Sequence, residues 1–312
     1  MGQIHQLILD HGVDEARART HDKLDRQCVD AAFAVMSDEE QRVGITHAGF
    51  AMTALPHRAV EDLIWTRQGA NVRLLVESGR DAASCLVGLP YGAIARMILL
   101  YLQTQAVKTK SREVELGRSM NHWLTAMGLT TGGKAYRLVR EQSRRLSLCR
   151  LTFYRVTDEA TFVTNGSFVR DAILPSSGDG QQLRLWQGSV KLDEGFYKSL
   201  VEHPLPLRET AIKEIARRSM AIDAYIWLAY RLHQLTKPTP ITWRSLHNQF
   251  GAGFQPVHQF KAKFKEPLAL ALAAYPEAHV EADDNGLVLY PSASPVPEKR
   301  TANVPRLTKW HK

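Results

Sequence analysis

A chain of 312 residues that is 44% hydrophobic and 23% charged has ordinary globular composition and room for two cores, which sets aside fibrous or wholly disordered proteins. Forty Lys and Arg against 32 Asp and Glu leave a formal charge of +8, a field that favours polyanions such as nucleic acid. Cys28, Cys85 and Cys149 are far apart and odd in number, which indicates neither a disulfide framework nor a CxxC metal site. They fit a reducing cytoplasmic setting, and each is expected to be a buried, inert thiol. No apolar run reaches the ~18 residues of a membrane span. The acidic N-terminus, with Asp10, Asp14 and Glu15, does not read as a signal peptide.

Residues 1–43 read as a charge-rich helical arm, with Ala31, Ala32, Phe33, Val35 and Met36 as its dense apolar group. Residues 44–175 form the first expected domain. Within it, Val72 to Val76 (VRLLV) is apolar enough to predict a strand buried on both faces at the edge of a core. Residues 91–103 read as a buried helix and residues 112–116 as a short strand.

A helix, a tight turn and a second helix follow. Met120, Trp123, Leu124 and Met127 recur at helical spacing, Gly128 stops that helix, and Thr130 or Thr131 can cap the next. At about 100° per residue, the second helix gathers Ala135, Val139 and Leu146 on one side. Lys134, Arg137, Arg140, Arg144 and Arg145 gather on the other, with Glu141 among them. This is the arrangement in which a second helix enters the major groove of DNA, although a solvated helix face has the same pattern. Residues 149–168 then alternate like a hairpin, so the order helix, strand, helix, helix, hairpin is that of a winged helix. The turn formers of PSSGDG, residues 175–180, mark a boundary.

The order recurs over residues 181–290, the second expected domain. Residues 183–192 supply a strand, and residues 208–216 and 219–235 two helices. After a short strand and helix, residues 255–275 form a helix with Phe260, Phe264, Leu268, Ala271 and Leu272 on one face. Gln255, His258, Gln259, Ala262 and Lys263 point outward, and Lys261, Lys263 and Lys265 flank the apolar face. Asn285-Gly286 signals a closing hairpin. The fold class is therefore α+β and helix-rich, with two tandem winged-helix domains. Residues 291–312 read as a disordered basic, Pro-rich tail that either adds phosphate contacts or only solubilises the chain.

Other chemistry is only superficially present. Gly128 to Lys134 has the GxxxxGK spacing of a phosphate-binding loop, but a helix precedes it and Ala135 stands where Ser or Thr would hold magnesium. The twelve histidines include no HExxH or His-x-His pair, Tyr225 and Tyr230 are spaced like core residues, and no Gly-x-Ser-x-Gly elbow occurs. No catalytic residue, metal or cofactor is expected.

Four segments resemble the plasmid-encoded RepA replication initiators, which are related in architecture to the two-winged-helix initiators of iteron plasmids. They are GITHAGFAMTALPHR (44–58), GLPYGAIARMILLYLQTQAVKTKSREVELGRSMNHWLTAMG (88–128), GGKAYRLVREQSRRLSLCRLTF (132–153), and AIDAYIWLAYRLHQL with ITWRSLHNQFG (221–251). The likeness spans residues 31–290. It implies a bacterial cytoplasmic protein that binds repeated sites, or iterons, at a plasmid origin, opens the duplex and recruits a host helicase or initiator. It also implies a homodimer that exchanges with an active monomer. A winged-helix repressor of its own promoter is the alternative. The expected DNA-binding residues, read from the helical wheels, are Lys134, Arg137, Arg140, Arg144, Arg145, Gln255, His258, Gln259, Lys261, Lys263 and Lys265. Cations of both helices and both wings are expected to make binding steeply salt-dependent.

Overall fold

The computed structural model describes residues 2–69, 71–116, 120–129, 131–156, 161–172, 189–254 and 256–297. The expected turn at 175–180 and the tail beyond residue 297 lie outside these. In chain order the elements are α1 (Gln3–Ala18), α2 (Lys23–Met36), β1 (Val43–His47), α3 (Gly49–Met52), β2 (Ile64–Gln68), β3 (Val72–Glu77), α4 (Gly92–Thr109) and β4 (Glu113–Glu115). Then come α5 (Met120–Ala126), α6 (Gly133–Leu148), β5 (Arg150–Val156), β6 (Thr161–Ser167), β7 (Val169–Ala172), β8 (Ser189–Leu192), α7 (Glu194–Glu202), β9 (Pro204–Arg208) and α8 (Glu209–Glu214). The chain closes with α9 (Ser219–Leu232), β10 (Thr239–Thr242), α10 (Trp243–Phe250), α11 (Val257–Ala273), β11 (Val280–Ala282) and β12 (Gly286–Leu289). The fold is α+β and helix-rich. It divides into a central unit, residues 45–49 and 53–205, and a terminal unit that joins residues 2–44, 50–52 and 206–297.

In the central unit α4 is buried along most of its length, from Ala95 to Val107. Its polar side chains are used inside the core: Gln103 Oε1 accepts from the amide of His47 at 2.7 Å and Thr104 Oγ1 from that of Ile45 at 2.8 Å. The order α4, β4, α5, α6, β5–β6 realises the expected first winged helix. The hairpin β5–β6 is extended by β3 and β2 into a four-stranded antiparallel sheet. The expectation for β3 needs correction. Val72, Leu74 and Val76 are buried while Arg73 is exposed, and the strand lies inside the sheet, because a sheet covered on one face needs only alternate residues apolar.

A second difference concerns β4, which pairs with β8 and not with the wing; β8 in turn pairs with β7. Residues 189–205, expected to open the second domain, therefore lie in the central unit. Asp193 joins this strand to the next helix by capping α7, accepting from the amide of Phe196 at 3.1 Å.

The terminal unit is built on α9, of which nearly every residue is buried. The succession α9, β10, α10, α11, β11, β12 forms a winged helix in which β10 pairs with the wing strand β12, and β12 with β11. The N-terminal helices, expected as a loose arm, pack here. Cys28, Val29, Ala31, Ala32 and Val35 of α2 are buried, and His5 Nε2 lies 2.9 Å from the carbonyl oxygen of Ala273 at the end of α11.

Burial pushes the thiols of Cys28 and Cys149 up to about 12, as inert thiols require. Cys85 departs from expectation and is exposed, in a turn braced by Asp81. Among the described residues no helix is long and apolar enough to cross a membrane, and no group of three or more His, Cys, Asp or Glu is placed to hold a metal.

Candidate nucleic-acid interface

The first candidate reading helix, α6, follows α5 through a turn with Gly128 at φ +68° and Gly132 at φ +140°, a backbone that side chains rarely adopt. Gly132 is also the N-cap and makes no side-chain cap bond, so Thr131 does not cap the helix; Thr130 lies outside the described residues. Trp123, Leu124 and Met127 are buried beneath the turn. Behind α6, a methyl on Gly79 would sit 1.8 Å from the carbonyl oxygen of Leu148, so the loop before residue 80 can pass the helix end only without a side chain.

Lys134, Arg137 and Arg140 are exposed and form one stripe. The other two basic residues are committed to the fold. Arg144 is ion-paired with Asp81. Arg145 donates to Glu141 at 2.7 Å and to the carbonyl oxygen of Leu89 at 2.8 Å, and its guanidinium lies 5.1 Å from the centre of the Tyr91 ring. The wheel placed Arg145 on the free cationic face, and the structure turns it inward. It stands three residues from the buried Gln142, about 60° around the helix, and so falls on the border of the packed side.

The second candidate reading helix, α11, is positioned by aromatic packing. Phe260 stacks on Phe264 at 5.0 Å and Phe264 on Phe250 at 5.2 Å, while Trp227 meets Phe250 edge-on at 5.6 Å. The turn from α10 is closed by His247, whose Nε2 lies 2.8 Å from the carbonyl oxygen of Phe254, with Gly253 at φ +88°. His258, Gln259, Ala262, Lys263 and Lys265 are all exposed, as the wheel indicates. Gln255 lies outside the described residues. Lys261 is only partly exposed: its ammonium donates to the carboxylate of Asp284 at 3.1 Å and lies 5.4 Å from the Trp243 ring centre.

The wings differ. Arg150 on β5 is exposed beside α6 in sequence, whereas the second wing exposes Glu281, Asp283 and Asp284 and contains no Lys or Arg. The expectation of a cationic second wing therefore fails. Reading for cations alone also missed Asp81 and Asp284, the acids that pair with a basic residue of α6 and of α11. Asp81 is 63 residues from Arg144, a pairing with no local signature. Asp284 sits in a turn read only for its shape.

The GxxxxGK stretch leads from α5 into α6, with no strand before it. Tyr225 is fully buried, its hydroxyl accepting from the amide of Arg208 at 3.2 Å, and burial pushes its ionisation upward.

Residues 89–244, half of the chain, match the family model of plasmid-encoded RepA proteins. No curated protein sequence matches. Among solved structures, the fold is similar to a crystal structure of selenomethionine derivatives of domains 2 and 3 of RctB, with a TM-score of 0.54 at 11% identity over 80% of this chain and 99% of that one. A second crystal structure of RctB domains 2–3 aligns with a TM-score of 0.48 at 11% identity, over 77% of this chain and 93% of that one.

Proposed function

The chain belongs to the family of plasmid-encoded RepA proteins, and on that premise we propose that it initiates plasmid replication by binding repeated duplex sites at the origin. It promotes opening of the duplex there and recruits host replication proteins, with no catalysis of its own. The observation that carries this reading is that one chain holds two helix-turn-helix arrangements whose exposed helix faces differ in chemistry.

On α6 the free groups are Lys134, Arg137 and Arg140, while Arg144 at their end is paired with Asp81. Such cations suit phosphates, which fix register and release counterions. On α11 the outward groups are His258, Gln259, Ala262, Lys263 and Lys265. Gln can pair bidentately with adenine, and the methyl of Ala262 can touch thymine, so this face is suited to reading bases. Two unlike heads in one chain cover an asymmetric repeat, whereas a symmetric repressor needs one head per protomer. Five exposed cations, Lys134, Arg137, Arg140, Lys263 and Lys265, each meeting one phosphate, would weaken binding about five-hundredfold between 50 and 200 mM salt.

A footprint on the DNA flanking the gene tests the reading. Protection of several direct repeats is expected, together with replication of a plasmid that carries only this gene and those repeats. Protection of a single palindrome without replication would make the protein a repressor of its own promoter. The reading also includes exchange between a dimer and a DNA-binding monomer, and a single species in sedimentation across the micromolar range, with and without DNA, would remove that part.

A further inference from the structure

Lys261 belongs to the N-terminal half of α11, the part that would approach a groove, yet its ammonium is spoken for. It donates to the carbonyl oxygen of Asp284 at 3.2 Å as well as to the carboxylate. The turn that presents Asp284 is firmly made. Trp243 Nε1 donates to the carbonyl oxygen of Asp283 at 3.0 Å, and the Asp283 carboxylate accepts from the amides of Asn285 and Gly286, both at 2.7 Å. The Lys261 side chain is 25% exposed, while that of Asp284 is fully open to solvent. The backbone of this turn thus places the Asp284 carboxylate beside the reading helix, in a wing that has no Lys or Arg of its own.

Phosphates flank any helix that enters a groove, and at physiological salt charges act over about 8 Å. A carboxylate so placed does two things to DNA of any sequence: it repels the backbone, and it occupies the lysine that would otherwise meet a phosphate. An ion pair with one fully solvated partner is weak, so phosphate competes with it, and the effect is a several-fold change in affinity and not an all-or-none block. This effect on the backbone is the same for every sequence, whereas Gln259 would discriminate by the donor and acceptor pattern of a base edge.

We infer that Asp284 is a specificity-determining residue: by holding Lys261 off the DNA backbone and repelling phosphate, it keeps sequence-independent binding by the second head low, so that contacts from α11 to base edges dominate. The inference rests on the duplex-binding function proposed above. The same device is present at Arg144 and Asp81, but there the acid also accepts from the amides of Ala83 and Cys85, at 3.0 and 2.9 Å, and its loss would disturb the loop. At Asp284 the carboxylate can be neutralised while the turn keeps its bonds.

The test compares the full chain with D284N, K261Q and the double variant on a random-sequence duplex and on the protected repeat, from 50 to 200 mM salt, with thermal melts to confirm equal folding. D284N is expected to bind random duplex about three- to tenfold tighter at 50 mM, with a salt slope steeper by about one. It should also lower the ratio of cognate to random affinity, and K261Q should cancel most of that gain. Unchanged random-duplex affinity in D284N, or a full gain that survives K261Q, overturns the inference. If the unmodified chain binds neither duplex, the function proposed above fails as well; if it binds and D284N is indistinguishable from it, only the role of Asp284 fails.

Discussion

The guanidinium of Arg145 donates to the carbonyl oxygen of Leu89 at 2.8 Å, tying the fourth turn of α6 to the chain just ahead of α4. Arg145 and Arg137 are therefore not equivalent, although both are basic residues of one helix. Arg145→Ala leaves a carbonyl and Glu141 without their donor, and should cost about 1–3 kcal/mol of stability in a denaturant titration. Arg137→Ala should leave the denaturation midpoint unchanged, weaken cognate and random duplex alike and reduce the salt slope by about one. Equal stability of the two variants would show that the Arg145 contacts are dispensable.

Gln259 is exposed two positions into α11, on the face opposite Phe260 and Phe264. Gln259→Ala should relax preference at one or two base pairs, at a cost of about 1–3 kcal/mol against the cognate site, and barely change binding to random DNA. A panel of single-base site variants checks this. A uniform loss across the panel would remove base reading from α11.

His47 titrates far from its ordinary range. Its Nδ1 accepts from the amide of Gly49 at 3.0 Å, and its Nε2 lies 2.9 Å from the hydroxyl of Ser199, an arrangement that requires the neutral ring with the proton on Nε2. Burial, aided by neighbouring His203, lowers its pKa from 6.5 to about 3, and burial lowers that of His57 as well. The unfolded chain takes up protons near pH 6.5 that the folded chain refuses, so stability is full above that pH and falls as pH drops toward 3. The loss should be on the order of 1.4 kcal/mol per pH unit for His47, with His57 acting in the same direction. Urea midpoints between pH 7.5 and 5 read it directly, and a flat profile would contradict the buried neutral ring.

Gly286 opens β12 opposite Thr242, and a Cβ there would lie 1.8 Å from the carbonyl oxygen of Ile241. Gly286→Ala should push β10 away from the wing and cost about 1–3 kcal/mol. A melting temperature equal to that of the unmodified chain would show that the strands can part without loss.

The wing also shows how a correct local reading can have a different cause. Asn285-Gly286 marked the hairpin, but the glycine is not used for a positive φ; it is used for the close approach of a third strand from elsewhere in the chain. The first winged helix shows the same limit. Its order of elements was legible from periodicity, whereas the pairing of β4 with β8 was not, because a three-residue strand fits any partner whose backbone is free.

Local rules were enough for what repeats locally. Apolar spacing placed α6 and α11, glycines placed their turns, and the outward positions of His258, Gln259 and Lys263 followed from the wheel, since each depends only on residues a turn or two away. What tertiary structure alone decided is which cations stay free. Arg144, Arg145 and Lys261 were indistinguishable in the sequence from Arg137, Arg140 and Lys263. Asp81, the carbonyl of Leu89 and Asp284 lie 63, 56 and 23 residues from them. An ion pair forms wherever folding brings opposite charges within reach, and separation along the chain carries no trace of it.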